Sequence, residues 1–132
     1  MTYTARQILD TNISEKQFQD SVIELFQYCG WLVSHSRPAR VKDDSTPSGF
    51  SWRTAIQGDK GFLDTIATKD GLLIIAELKS EKGEMSPEQK KWFSTLKLVE
   101  YLAHPYVRVF MWKPSDWSII ESVAKEEENK YD

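Results

Sequence analysis

Two carboxylates and a lysine, Asp64, Glu77 and Lys79, are the residues of this sequence whose types and spacing best suit chemistry. They lie in two apolar runs that flank Asp70-Gly71, a dipeptide that favours a two-residue hairpin turn. If these two residues form the turn, counting outwards along both strands sets Asp64 directly opposite Glu77. Lys79 follows two residues after Glu77, so its side chain projects from the same face of the strand.

The opposed carboxylates require an explanation, because like charges facing each other across an antiparallel pair destabilise it. Carboxylates are also seldom buried without a partner. A divalent cation held between Asp64 and Glu77 would remove the conflict. The spacing therefore predicts a metal-assisted hydrolytic site. The alternative is structural: Glu77 and Lys79 form an ion pair at a strand end, and Asp64 merely ends a strand or pairs with Arg53 or Lys79.

Helix and strand signals predict the elements that position these residues. Ser14 and Gln17 form a capping box, apolar residues follow at helical spacing, and Gly30 suits the end of the helix. The other predicted elements are a strand over 31–36, hairpin strands over 62–68 and 72–79, a helix beginning at Ser86, a strand over 107–112 and a last helix capped by Ser115. This order, α-β-β-β-α-β-α, predicts an α/β fold with a central mixed sheet flanked by helices on both sides.

Composition predicts one globular domain. The chain has 132 residues, of which 40% are hydrophobic and 12% aromatic. We expect a core over 14–124, an N-terminal arm over 1–13 and an acidic tail over 125–132. The single cysteine, Cys29, excludes an intramolecular disulfide framework and fits a reducing compartment. The sequence contains no run of eighteen apolar residues, so we expect no membrane association.

Three segments carry a family resemblance. They are GFLD at 61–64, AELKSEKGEMSPEQKKW at 76–92 and VFMWKPSDW at 109–117. In this order they resemble the PD-(D/E)XK nuclease superfamily, and within it the VRR-NUC branch of small phage and bacterial nucleases. The similarity spans 14–123, although the branch usually has proline where this chain has Leu63. The resemblance implies a restriction-endonuclease-like core and a metal-dependent DNA endonuclease, with structure-selective cutting of branched or junction DNA.

The resemblance also assigns roles to residues. Asp64 and Glu77 would ligate Mg²⁺ or Mn²⁺, with the backbone carbonyl of Leu78 as a further oxygen ligand. Lys79 would position or deprotonate the attacking water, or stabilise charge on the phosphate. Two helix residues match positions near the family's site, and they are Glu15 and Gln89. Each also has a structural alternative, because Glu15 is an acid in a helix's first turn and Gln89 completes a capping box.

The stretch 37–60 is predicted to be irregular and to contact nucleic acid. It contains two prolines, two glycines and no sustained periodicity, and long irregular stretches in compact domains are often functional. Trp52 is a candidate for stacking on a base. The candidate phosphate contacts are basic residues of this stretch: Arg37, Arg40, Arg53 and Lys60. His35, just before it, is interpreted as a structural histidine.

Several alternatives stay open at this stage. The chain could act on RNA instead of DNA, or it could be a binding module that keeps a nuclease-like fold without cleavage. The net charge of −3 argues against indiscriminate nucleic-acid binding. Because so small a chain has little surface for holding two duplex arms, a symmetric homodimer is a reasonable expectation. The family resemblance places the protein in the cytoplasm of a bacterium or of a phage-infected cell.

Overall fold

The computed structural model describes residues 11–36, 39–53 and 56–125, with the side chain of residue 39 left out. The described chain is an α/β fold. Its elements are helix α1 (Glu15–Tyr28), strands β1 (Leu32–His35), β2 (Ala39–Lys42), β3 (Phe50–Arg53), β4 (Thr65–Lys69) and β5 (Leu72–Leu78), helix α2 (Pro87–Ala103), strand β6 (Val107–Trp112), a 3-10 helix (Pro114–Asp116) and helix α3 (Trp117–Ala124). Most of the predicted arm and tail, together with Arg37, lies outside the described residues.

The central sheet is mixed, as predicted. Its four strands lie in the order β1-β4-β5-β6. The pairs β1–β4 and β4–β5 are antiparallel, whereas β5 and β6 are parallel. A parallel pair needs a long crossover connection, and helix α2 supplies it between β5 and β6. The carboxyl end of β5, which carries Glu77, therefore leads directly towards the start of α2.

The predicted hairpin and its register are confirmed. Asp70 and Gly71 both have positive φ, 51° and 82°, which is the backbone that a two-residue turn of this type requires. Pairing runs from Lys69 opposite Leu72 to Thr65 opposite Ala76. Strand β4 thus begins at Thr65 and not at residue 62, as the apolar pattern had predicted. Asp64 immediately precedes the strand.

Helices cover both faces of the sheet. On one face α1 and α3 enclose the larger core, whose buried members include Phe18, Phe26, Trp112 and Ile120. On the other face α2 packs on a smaller cluster around Leu63, Ile75 and Val109, with Phe93 and Leu96 as its contacts. Full burial of a large apolar side chain contributes roughly 1.5–3 kcal/mol to folding, so the larger core provides most of the stabilisation.

The apolar stripe of helix α2 is only partly buried. Two of its members, Val99 and Leu102, are 43% and 75% exposed. Only the part of the helix near Phe93 and Leu96 packs on the smaller cluster. The stripe is therefore wider than the surface that the sheet offers to it.

The predicted order of elements is incomplete, because the stretch 37–60 is not entirely irregular. Strands β2 and β3 form a separate two-stranded antiparallel sheet within it. Asp43 holds the connection between them, since its backbone N–H donates to Gly49 O at 2.8 Å and its Oδ1 accepts from Ser45 N at 3.0 Å. The prediction missed these strands because each has four residues and their turn lacks a two-residue hairpin signal.

The helix starts were predicted correctly in two of three cases. The capping boxes of Ser14 with Gln17 and of Ser86 with Gln89 are both present. Ser115 was the wrong cap for the last helix, because it lies inside the 3-10 helix and Asp116 is the N-cap of α3. The Ser115 hydroxyl instead donates to Glu81 Oε2 at 2.9 Å. Among the described residues, no helix is long and apolar enough to cross a membrane.

Candidate active site

Asp64 and Glu77 lie side by side where the hairpin opens. The backbone N–H of Asp64 donates to Glu77 Oε1 at 3.3 Å. The carbonyl of Asp64 accepts from the N–H of Ser36, at 2.8 Å, just beyond the end of β1. Strand β4 is therefore fixed between its two neighbours up to its first residue. The sequence predicted this juxtaposition from the turn alone.

Glu77 is a buried carboxylate with several donors around it. Its side chain is 2% exposed, and carboxylates at this depth need compensation by hydrogen bonds or cations. Lys79 Nζ lies 3.2 Å from Glu77 Oε2, and Gln89 Nε2 donates to the same oxygen at 2.7 Å. The same-face placement of Glu77 and Lys79 that the strand period predicted is thus observed.

Gln89 joins a helix cap to the site. Its Oε1 accepts from the backbone N–H of Ser86 at 2.9 Å, which completes the capping box. Because that bond uses the amide oxygen, the amide nitrogen faces the other way and donates to Glu77. The sequence left open whether Gln89 caps the helix or lies at the site, and in the structure it makes both contacts. The cap fixes which end of the amide meets the carboxylate.

Asp64 has its own hydrogen-bonded neighbours. Thr65 Oγ1 donates to Asp64 Oδ1 at 3.1 Å, and His35 Nδ1 lies 2.9 Å from Thr65 Oγ1. Since the hydroxyl has one proton and gives it to the carboxylate, His35 Nδ1 must be the donor to Thr65. His35 also lies 3.7 Å from Asp64 Oδ1, with its side chain 5% exposed.

His35 and Thr65 are the site neighbours that the sequence interpretation undervalued. His35 was regarded as a structural residue, and Thr65 was not singled out. A signal existed, because the antiparallel register pairs His35 with Thr65, the residue after Asp64. That pairing could be found only once β1 was known to lie beside β4.

Burial disfavours the ionised form of both carboxylates. Burial raises the pKa of Asp64 to about 6, and the charge of Glu15 acts in the same direction, while the Thr65 hydroxyl and Lys79 oppose the rise. Burial also raises the pKa of Glu77, with repulsion from Asp64 adding to it and Lys79 opposing it. A bound cation would relieve the desolvation and the repulsion together.

The two carboxylates open into a cleft of about 700 Å³. Glu15, the first residue of α1, lines this cleft together with Asp64, Glu77 and Lys79. Gln19 Nε2 donates to Glu15 Oε2 at 3.3 Å, one turn along the helix. The structure therefore brings every predicted catalytic side chain, Gln89 included, to one cleft.

The donor set suits a hard divalent cation. Asp64 and Glu77 offer carboxylate oxygens, and Leu78 lies between Glu77 and Lys79 at the end of β5. Within the described ranges, no group of three or more His, Cys, Asp and Glu side chains is close enough to hold a metal ion. An ion bound here would complete its shell with backbone oxygen and water, as Mg²⁺ commonly does.

The predicted nucleic-acid contacts are more scattered than the predicted catalytic side chains. Arg40 lies on β2, where its guanidinium sits 4.3 Å from the centre of the Phe50 ring. Arg53 lies on β3 and pairs with Asp43 at 3.3 Å. Lys60 is exposed in the loop before β4. Arg37 falls outside the described residues, and none of the other three lines the cleft.

Fold and site together define an α/β protein with a buried carboxylate pair and a lysine at the end of a hairpin. Comparison with protein-family models, curated proteins and solved structures finds no match for this chain. The family resemblance of the three segments therefore remains a prediction. A function has to be proposed from the site itself.

Proposed function

We propose that this protein is a metal-dependent DNA endonuclease of the PD-(D/E)XK type, similar to the VRR-NUC branch. The observation that carries the proposal is the buried pair of Asp64 and Glu77, both with raised pKa, beside Lys79 at an open cleft. A structural ion pair explains Glu77 and Lys79, but it does not neutralise Asp64, whose neighbour His35, 3.7 Å away, is a cation only when protonated. A divalent ion accounts for all three residues.

Each residue has a physical role in phosphodiester hydrolysis. Asp64 and Glu77 would hold Mg²⁺ or Mn²⁺, which lowers the pKa of bound water and neutralises charge on the phosphate. Lys79 can stabilise the same phosphate oxygens or orient the attacking water. Gln89 orients the Glu77 carboxylate through the 2.7 Å hydrogen bond, so that one oxygen keeps a fixed direction. Glu15 would add negative charge to the same cleft.

The substrate and assembly are part of the proposal. Branched or junction DNA is the substrate class that the family resemblance suggests, and a symmetric homodimer would supply two cleavage sites for two strands. Exposed Arg40, Arg53 and Lys60 would contact phosphates outside the cleft. Such contacts position a nucleic acid without reading its sequence.

A cleavage assay tests the proposal directly. Duplex, flap, single-stranded and four-way DNA, with matching RNA strands, are incubated with Mg²⁺, Mn²⁺ or EDTA. We expect cleavage of at least one DNA substrate with either metal and none in EDTA. A Glu77→Gln variant serves as the negative control, because glutamine preserves the size of the side chain. If the wild-type protein leaves all substrates intact with both metals, the proposal is wrong. Cleavage of RNA alone would change the substrate.

A further inference from the structure

The small β2–β3 sheet has one face that alternates basic and aromatic side chains. Its register places Arg40 opposite Trp52 and Lys42 opposite Phe50. Directly opposed residues share a face, and so do residues two apart on one strand. All four side chains therefore project from the same side of this sheet. We name this side the β2–β3 platform and define it as Arg40, Lys42, Phe50 and Trp52.

The platform is exposed where burial would be expected. Trp52 is 70% exposed and Phe50 is 43% exposed, although half-buried Val41 and Ser51 lie on the opposite face. Two-stranded sheets usually turn their large apolar side chains towards a core. An exposed aromatic surface of this kind points to an interaction. The guanidinium of Arg40 already lies over the Phe50 ring, at 4.3 Å from its centre.

The platform adjoins the candidate active site. Trp52 lines the same cleft as Asp64, Glu77 and Lys79. Exposed Phe62, two residues before Asp64, also lines this cleft. A group held against the Trp52 ring would therefore lie in the cleft into which the carboxylate pair opens. The cleft thus combines charged and aromatic side chains.

We propose that the β2–β3 platform binds an unpaired strand of DNA beside the bond to be cut, with one base stacked on Trp52 and the flanking phosphates on Arg40 and Lys42. Aromatic side chains interleaved with basic ones are the chemistry that single strands require, because unpaired bases offer free ring faces. In an intact duplex those faces are already stacked. The inference rests on the proposed function and narrows its substrate to DNA with an unpaired segment at the cleavage position.

Binding without cleavage separates this inference from the proposed function. Fluorescence anisotropy in EDTA measures the affinity for a labelled single strand and for a blunt duplex of equal length. We expect tighter binding to the single strand, and Trp52→Leu should weaken it roughly ten-fold or more, as loss of one stacked base does elsewhere. Trp52→Phe keeps an aromatic ring and should retain most of the affinity. Tyr28→Leu is the matched control, because Tyr28 is 91% exposed but does not line the cleft.

A second measurement follows the phosphate contacts and does not depend on the tryptophan variant. The double variant Arg40→Ala and Lys42→Ala should lower the slope of log affinity against log salt by roughly 0.7 per lost contact with single-stranded DNA. Tryptophan fluorescence of the wild-type protein should also be quenched by the single strand. Of the other four tryptophans, Trp31, Trp112 and Trp117 are each 3% exposed and Trp92 is half-buried, whereas Trp52 is 70% exposed, so Trp52 should contribute most of the quenching and Trp52→Phe should lose most of it.

The possible outcomes distinguish failure of this inference from failure of the proposed function. The inference is wrong if the duplex binds more tightly than the single strand, if Trp52→Leu binds the single strand like the wild type, or if Tyr28→Leu loses as much affinity. It is also wrong if the double variant keeps the wild-type salt slope. If the protein cleaves DNA yet shows any of these results, the inference is wrong but the proposed function stands. If the protein binds single strands through Trp52 but never cleaves, the role of the platform stands and the nuclease assignment is wrong.

Discussion

Glu77 is a buried acid whose negative charge is only partly compensated by its neighbours. Its oxygens accept from the N–H of Asp64, from the amide of Gln89 and from the ammonium of Lys79. Two of these donors are neutral and Lys79 is the cation, while His35, 3.7 Å from Asp64, is charged only when protonated. With His35 neutral, this cluster is one positive charge short of balance. That imbalance is the electrostatic reason to expect a divalent ion here.

Lys79→Ala should abolish cleavage while the fold and metal binding remain largely intact. Removing the ammonium takes away a stabiliser of phosphate charge, and losses of one such group commonly reduce rates by roughly 10²–10³. Single-turnover cleavage of the best DNA substrate with Mg²⁺ measures the effect, and circular dichroism checks the fold. Lys82→Ala is the control, because Lys82 is exposed and three residues away. A Lys79→Ala rate near that of the wild type would refute the assigned role.

Asp64→Asn should stabilise the metal-free protein near neutral pH. The raised pKa of Asp64, about 6, means that the folded state holds a proton that the unfolded chain has lost between about pH 4 and 6. Stability therefore falls as pH rises through this window and stays lower above it, by at most roughly 3 kcal/mol for this group. Asparagine removes the charge but keeps an acceptor for Thr65.

Thermal unfolding in EDTA from pH 4 to 8 measures that difference. The wild type and Asp64→Asn should be similar near pH 4 and should diverge as the pH rises to 7. Asp70→Asn is the control, since Asp70 is exposed in the turn and asparagine tolerates its positive φ. If the Tm values of the wild type and Asp64→Asn differ by the same amount at every pH, burial does not disfavour the charged form of Asp64.

At the level of elements, the site lies where the ends of several helices and strands meet. Glu15 begins α1, Gln89 lies in the first turn of α2, Asp64 precedes β4 and Glu77 is near the end of β5. The loop before β4 touches α2 very closely. A Cβ on Gly61 would lie 2.6 Å from the backbone carbon of Glu88 and 2.8 Å from Gln89 N. This close approach fixes Asp64 relative to Gln89.

Gly61→Ala should therefore destabilise the protein more than a comparable glycine substitution without close neighbours. Gly58 is the matched control, because both residues have positive φ, 94° and 101°, but a Cβ on Gly58 meets nothing within 4 Å. Gly58→Ala should cost about 1 kcal/mol from backbone strain alone. Gly61→Ala should add about 1–3 kcal/mol for the forced displacement of α2. Urea unfolding measures both, and equal losses would contradict the role of this contact.

Local signals explain which elements the sequence could predict. The hairpin β4–β5 was predicted with its register because the turn residues fix the pairing by themselves. The pairing of Gln89 with Glu77 was not predictable in detail, because it depends on how α2 returns over the sheet. Strands β2 and β3 were missed for a similar reason, since their pairing spans a seven-residue turn, 43–49, with no simple signature. The candidate site side chains whose positions follow from local signals were therefore predicted, and the contacts that support them were not.

At the level of the whole molecule, the core and the site are separated along the sheet. The larger core lies under α1 and α3, whereas the carboxylates occupy the end of the hairpin where the cleft opens. The side chains adjoining Glu77 along β5, Ala76 and Leu78, are each 0% exposed. The folded core therefore holds the acids in place whether or not an ion is bound. The free-energy cost of burying the two carboxylates is offset by the stability of the folded protein as a whole.

Metal binding should consequently shift the unfolding equilibrium of the entire protein. An ion that binds only the folded state stabilises it by about 2.7 kcal/mol at a free concentration one hundred times its Kd. Thermal unfolding with increasing Mn²⁺ should raise the Tm of the wild type above its value in EDTA. Asp64→Asn and Glu77→Gln should each lose most of this rise, whereas Asp43→Asn, whose carboxylate belongs to the β2–β3 turn, should retain it. Isothermal titration with Mn²⁺ gives the affinities independently. If both site variants keep the wild-type affinity and the full rise in Tm, Asp64 and Glu77 do not share an ion.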